Sequence, residues 1–141
     1  MRRIHERIKC RRQNFAHQLS RALVGRYGAI FFEKLNIKGM VRNHCLAKSI
    51  ADAAWQQLIH LTTYKAESAG RRCGVVDPRG TSQRCSGCGA TVCKDLSRRL
   101  HECVCGLRLD RDHNAALNIL ALGLQSVGRE SYRSRALQGA E

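Results

Sequence analysis

Two cysteine pairs constrain this chain more than any other feature. Cys85-Ser-Gly-Cys88-Gly places two thiolates across a tight turn in which Gly87 and Gly89 free the backbone, and Cys103-Val-Cys105-Gly106 follows downstream. Four thiolates in two pairs can close a tetrahedral Zn²⁺ site, and a closed four-cysteine site is structural because it leaves no open position for catalysis. The stretch from Thr81 to Asp110 is too poor in apolar residues to fold alone, so the metal would organise it. The second pair has one residue between its cysteines where two are usual. His101 and Cys93 are therefore the substitutes for the fourth ligand, although Cys93 also reads as a small buried residue on a strand. Reduced thiols packed in a small core would explain neither the pairing nor the glycines. The basic N-terminus has no apolar segment behind it, so a secreted disulfide framework has no support and a cytoplasmic location is expected.

Charge gives the second constraint. Lys and Arg number 25 against 11 Asp and Glu, a net charge of +14, which points to a polyanion such as nucleic acid. A hydrophobic share of 43% argues against simple disorder. No apolar run approaches the roughly 18 residues of a membrane helix, so no membrane partner is expected. In residues 1–26, Ile4, Ile8, Phe15, Leu19 and Leu23 recur at helical spacing. Arg3, Arg7, Arg11 and Arg12 fall elsewhere on the wheel, which predicts an amphipathic helix with a basic outer face. That face reads either as a phosphate-contacting surface or as a solvated charge run.

The remaining elements alternate. Gly28 to Phe32 is a short buried strand, and Asn36 to Asn43 reads as a loop. Leu46 to Ala69 is a long helix with Leu46, Ile50, Ala54, Leu58, Leu61 and Lys65 on one stripe and Gly70 at its C′ position. Arg72 to Val76 is a second strand, stopped by Asp77-Pro78. Asp112 to Leu124 is apolar nearly all round and reads as a largely buried helix, and the tail from Gln125 as polar and frayed. Such alternation implies α/β layering with parallel pairing.

Beyond the residues themselves lies a resemblance. The knuckle Cys85-Ser-Gly-Cys88-Gly, preceded by Thr81-Ser82-Gln83, is followed by Lys94-Asp-Leu-Ser97, Arg99, His101 and the second pair. Asp110-Arg-Asp112-His-Asn114-Ala-Ala-Leu-Asn118-Ile comes next, with Phe32-Glu33-Lys-Leu35-Asn36, Trp55 and Tyr64-Lys65-Ala-Glu67 upstream. Together these resemble the TnpB (OrfB) proteins of bacterial insertion sequences, over about residues 4 to 121. The resemblance implies a RuvC-like, RNA-guided DNA endonuclease of RNase H fold with an inserted zinc ribbon. Such proteins accompany transposition that a separate enzyme performs, and have DNA and guide RNA as partners.

On this basis the fold class is α/β, the C-terminal half of a RuvC/RNase H-like fold. Residues 1–78 are a partial nuclease region, 79–109 the zinc ribbon, 110–124 the nuclease C-terminal helix and 125–141 a polar tail. The resemblance implies that Glu33 and Asp112 are site carboxylates for Mg²⁺, chemistry that paired acids at a strand end and a helix start allow. Taken alone, Glu33 reads as a surface carboxylate and Asp112 as an N-cap. Asp110 is the rival of Asp112, which stands two before Asn114 as in the family. Arg84, Arg98 and Arg99 on the ribbon join the basic helix as phosphate contacts. Glu6 is the only acid before Glu33, so the family's first catalytic Asp has no counterpart. The expectation is a truncated protein that binds nucleic acid and is nuclease-inactive alone. The alternatives are an endonuclease completed by another chain, and a zinc-ribbon adaptor that binds protein.

Overall fold

The computed structural model describes residues 2–42, 44–45, 54–95 and 97–138. Its elements run α1 (Arg2–Arg26), β1 (Ala29–Glu33), α2 (Ile37–Val41), α3 (Trp55–Ser68), β2 (Arg72–Val76), β3 (Leu100–Glu102), β4 (Arg108–Asp110) and α4 (Arg111–Gln138). This is a mixed α/β chain whose described residues form two two-stranded sheets, β1–β2 and β3–β4. The Arg72 N–H donates to the Gly28 carbonyl at 3.0 Å, and the Lys34 N–H to the Val76 carbonyl at 2.8 Å. The first bond joins the beginnings of β1 and β2 and the second their ends, so the two strands run parallel. None of the described helices is long and apolar enough to cross a membrane.

The chain divides into two compact units, residues 1–30 with 35–74 and residues 31–34 with 75–141. In the first, α1 packs on α3, and its buried residues lie in its second half. Ala16, Ser20 and Val24 are buried on α1, and Leu61, Thr62 and Ala66 on α3. The predicted stripe is therefore rotated: Ile4 and Phe15 are 61% and 66% exposed, and Ile8 is exposed too. The reason lies in residue size, because Ala16, Ser20 and Ala66 let the two backbones approach, and burying Val24 and Leu61 contributes about 2 kcal/mol each. Lys65 spans the contact, donating from Nζ to the His17 carbonyl and to Ser20 Oγ, both at 2.7 Å.

Helix α3 begins later than the predicted Leu46. Ala54 has φ +48° and makes no side-chain cap, so it precedes the helix instead of joining its stripe. Leu46 and Ile50 lie outside the described residues. The predicted end holds: the Gly70 N–H bonds the Glu67 carbonyl and the Arg71 N–H the Ala66 carbonyl, the paired bonds of a Schellman motif. The predicted loop after Asn36 contains the short helix α2, because Asn36 Oδ1 accepts the Gly39 N–H at 3.0 Å and caps it.

In the second unit, α4 packs against β3 and β4. Asn114, Ala115, Asn118 and Ile119 are buried on one face, while Leu117, Leu120 and Leu124 are exposed. The expectation of a largely buried helix is thus corrected: the buried face is small and half polar. Helix α4 also continues without a break past residue 124, through the predicted tail to Gln138.

Candidate metal centre and carboxylate site

The two knuckles are built alike. In the first, the Gly89 N–H donates to the Cys85 carbonyl at 2.9 Å and the Cys85 N–H to the Ala90 carbonyl at 2.8 Å. In the second, the Gly106 N–H donates to the Cys103 carbonyl and the Cys103 N–H to the Leu107 carbonyl, both at 3.0 Å. Gly89 and Gly106 have φ of +79° and +89°, a turn conformation that costs any other residue steric strain. The one-residue gap in Cys103-Val-Cys105 is accommodated by this second turn, and Val104 points wholly into solvent.

The four sulfurs of Cys85, Cys88, Cys103 and Cys105 lie within 4.8 Å of one another. Cys85 Sγ is 3.7 Å from Cys105 Sγ, and Cys88 Sγ is 3.5 Å from Cys103 Sγ. A tetrahedron with Zn–S bonds of ~2.3 Å has edges of about 3.8 Å, so the donor set and its spacing fit zinc. The Cys88 N–H aimed at its sulfur outweighs burial and lowers Cys85 to about 5. For Cys88 the Ala90 N–H pulls down, but Cys103, Cys105, burial and Cys85 together push it up to about 12. One thiolate thus opposes the next, and a dication in the cluster would remove that opposition.

Neither substitute ligand belongs to the cluster. His101 is fully buried, and its Nδ1 is hydrogen-bonded to Lys94 Nζ. That lysine also donates to the Ser82 carbonyl at 3.2 Å, and burial, aided by the charge of Arg111, lowers its pKa. Cys93 is exposed and lies outside any strand, against the expectation of a buried strand residue. The hairpin places only a single bridge, Arg84 to Thr91, before the chain leaves it.

Asn114 and Asn118 fasten the first knuckle to α4, a role the sequence reading missed. Asn114 Oδ1 accepts the Ser86 N–H at 2.9 Å, and its Nδ2 donates to the Arg84 carbonyl at 2.7 Å. Asn118 Nδ2 donates to the Arg84 and Thr81 carbonyls at 2.7 and 2.8 Å. The available signal was two amides four residues apart on an otherwise apolar helix face, where a polar side chain must find partners.

The same helix start separates the two aspartates. Asp110 Oδ1 accepts the N–H groups of Asp112 at 2.8 Å and His113 at 3.3 Å, so Asp110 is the N-cap. Those bonds, led by the one from Asp112, hold its carboxyl below the usual range. Asp112 is free of that duty. Its side chain is 87% exposed, with Arg111 Nε 3.4 Å from Oδ1. Asp112 and Glu33 both line a cavity of about 260 Å³ walled by Phe31, Phe32, Ala116, Ile119 and Leu120. The Phe31 ring lies over Gly123, where a Cβ would sit 2.3 Å from the ring.

The predicted arginines are spread over both units. Arg3, Arg7 and Arg11 are exposed along α1, and Arg12 is half-buried. Arg84, Arg98 and Arg99 are exposed, and Arg98 lies 4.0 Å from Glu102, which also pairs with Arg108 at 3.1 Å.

Fold and site define a mixed α/β protein with a four-cysteine cluster that could hold a metal ion and a cavity lined by Glu33 and Asp112. Residues 55–119 match the Cas12f1-like TNB domain. The chain is 40% identical over 124 residues to a putative RNA-guided DNA endonuclease of Streptomyces pristinaespiralis, covering 86% of this chain and 31% of that one. It is 30% identical over 138 residues to the putative RNA-guided DNA endonuclease InsQ of Escherichia coli (strain K12), covering 86% and 34%. A cryo-EM structure of the Cas12f1-sgRNA-target DNA complex superposes with a TM-score of 0.60 at 20% identity, over 82% of this chain and 35% of that one. The chain matches the TnpB-type family. It spans about a third of the length of these relatives.

Proposed function

We propose that this chain is a nucleic-acid-binding segment of a TnpB-type RNA-guided DNA endonuclease, with a RuvC/RNase H-like nuclease part, an inserted zinc ribbon over residues 79–109 and a cytoplasmic location. We further propose that the 141-residue chain does not cut DNA by itself. The observation that carries the reading is the shared cavity of Glu33, at the end of a strand, and Asp112, in the first turn of a helix. Strand ends of open α/β sheets are where such folds bind ligands. Carboxylates suit Mg²⁺, so the donor chemistry fits, and Glu33 and Asp112 are the residues that would hold it. A divalent ion bound there supplies charge stabilisation at the phosphoryl oxygens.

The chain's own contribution is to hold the two carboxylates. Asp110 satisfies the first N–H groups of α4 and leaves Asp112 available. Phe31 and Phe32 give the cavity an apolar wall. Among the described residues, the four cysteines are the only group of three or more potential ligands within ligand distance of one another. Two carboxylates without a third anchor hold a divalent ion loosely, and misplacing reacting groups by about 1 Å costs about a hundredfold. This is why cleavage by the isolated chain is not expected.

The four cysteines would hold structural zinc. Arg3, Arg7, Arg11 and Arg12, with Arg84, Arg98 and Arg99, would contact phosphates of DNA or guide RNA. The complex named for Cas12f1 contains both kinds of partner and supports that reading. The test uses labelled single-stranded DNA and the purified chain with Mg²⁺. Binding should weaken steeply with salt, as counterion release requires, and no product should exceed that of a Glu33→Ala/Asp112→Ala variant. Salt-independent affinity, or cleavage that this variant abolishes, would overturn the proposal.

A further inference from the structure

The first unit holds a cavity of about 650 Å³ at the contact of α1 and α3, to which none of the cysteines, carboxylates or arginines assigned a role in the proposed function contributes. Three cations line it: Arg21 from α1, Lys65 from α3 and Arg71 just beyond α3. No aspartate or glutamate lines it, and among the described residues none of the three has a carboxylate partner. Lys65 donates two of its three N–H groups to the His17 carbonyl and Ser20 Oγ. Among the described residues no further oxygen or nitrogen accepts from it, and the ammonium lies 6.0 Å from the centroid of the Tyr64 ring. Three like charges facing one cavity repel each other, and an anion converts that repulsion into attraction. Two guanidinium forks and one ammonium are the donor set that phosphate oxygens fit.

The rest of the wall mixes polar and apolar groups: Asn14, His17 and Gln18 line it beside Val24, Gly25 and Ala69. Val24 is buried, Ala69 is small, and a Cβ built on Gly25 would meet nothing within 4 Å. The volume exceeds what a phosphate alone fills and falls within the range of small-ligand sites. We propose that this cavity seats one nucleotide of a single strand, its phosphate on Arg21, Lys65 and Arg71 and its sugar and base on Val24, Gly25 and Ala69. The proposal deepens the nucleic-acid reading above and rests on it for the source of the nucleotide.

Binding of a labelled single strand across a salt series, by the full chain and by an Arg21→Ser/Arg71→Ser variant, tests it together with amide NMR. Both arginines are exposed and outside the α1–α3 core, so the variant should keep its helix content. Losing the two guanidinium groups that neutralise this one phosphate should reduce the slope of log K against log salt by up to about 0.7. Adenosine monophosphate should shift the amides of residues 14–25 and 65–71 in the parent chain and not in the variant. An unchanged slope, unmoved amides, or inorganic phosphate seating as tightly as the nucleotide would each overturn the assignment. If the chain binds no strand at all while the mononucleotide still shifts those amides, the cavity stands and the broader nucleic-acid reading falls. If the strand binds with an unchanged slope in the variant, the reverse holds.

Discussion

Replacing Asn114 by alanine should loosen the metal centre without touching a cysteine. The side chain is fully buried and makes two short hydrogen bonds to the first knuckle, one to the Ser86 N–H and one to the Arg84 carbonyl. In the variant the Arg84 carbonyl keeps the Asn118 donor at 2.7 Å, but the Ser86 N–H loses its acceptor. One unsatisfied N–H costs about 1–3 kcal/mol and one lost bond about 1 kcal/mol. The sum is about 2–4 kcal/mol, a large share of the roughly 5–15 kcal/mol that stabilises a domain. Because zinc binding and folding of the knuckles are linked, at least 2 kcal/mol should appear as a zinc affinity lowered about 30-fold or more. Competition with a chromogenic chelator measures this directly. Asn118→Ala leaves both of its carbonyls within reach of Asn114, so it should cost less, about 1–2 kcal/mol. An Asn114→Ala affinity within threefold of the parent, or an Asn118→Ala effect as large as that of Asn114→Ala, would refute the reasoning.

Two further outcomes are expected. Gly123→Ala puts a methyl into the Phe31 ring, and overpacking of this kind costs about 1–3 kcal/mol, read as a lower urea midpoint. Asp110 has a folded pKa below its ordinary value, so its stabilising contribution is present above the unfolded pKa and is lost as pH falls through the folded one. Acid unfolding of Asp110→Asn should therefore lack that component below about pH 4, while neutral stability changes little because asparagine also caps.

The cysteine cluster was legible because cysteine spacing and flanking glycines are local chemistry, independent of how the chain folds. The choice of Asp112 over Asp110 rests on the resemblance; the structure shows Asp110 as the helix cap, a role the sequence assigned to Asp112 when read alone. What the sequence hid was tertiary. The apolar periodicity of α1 suggested Ile4, Ile8 and Phe15 as its core face, yet α3 meets the small residues Ala16 and Ser20. The apolar run of α4 suggested burial all round, but its buried face is one stripe whose two asparagines serve the knuckle. Cys93 looked like a strand residue because the hairpin's single bridge could not be foreseen from composition. Which face of a helix is covered depends on the partner it meets, which periodicity alone does not specify.

X-ray absorption at the zinc edge of the purified full chain tests the central claim, that Cys85, Cys88, Cys103 and Cys105 together hold the ion that organises residues 79–109. The account predicts one zinc per chain with four sulfur neighbours at about 2.3 Å and no nitrogen. A nitrogen in the first shell, which would implicate His101, or full zinc loading of a Cys103→Ala/Cys105→Ala variant, would contradict it.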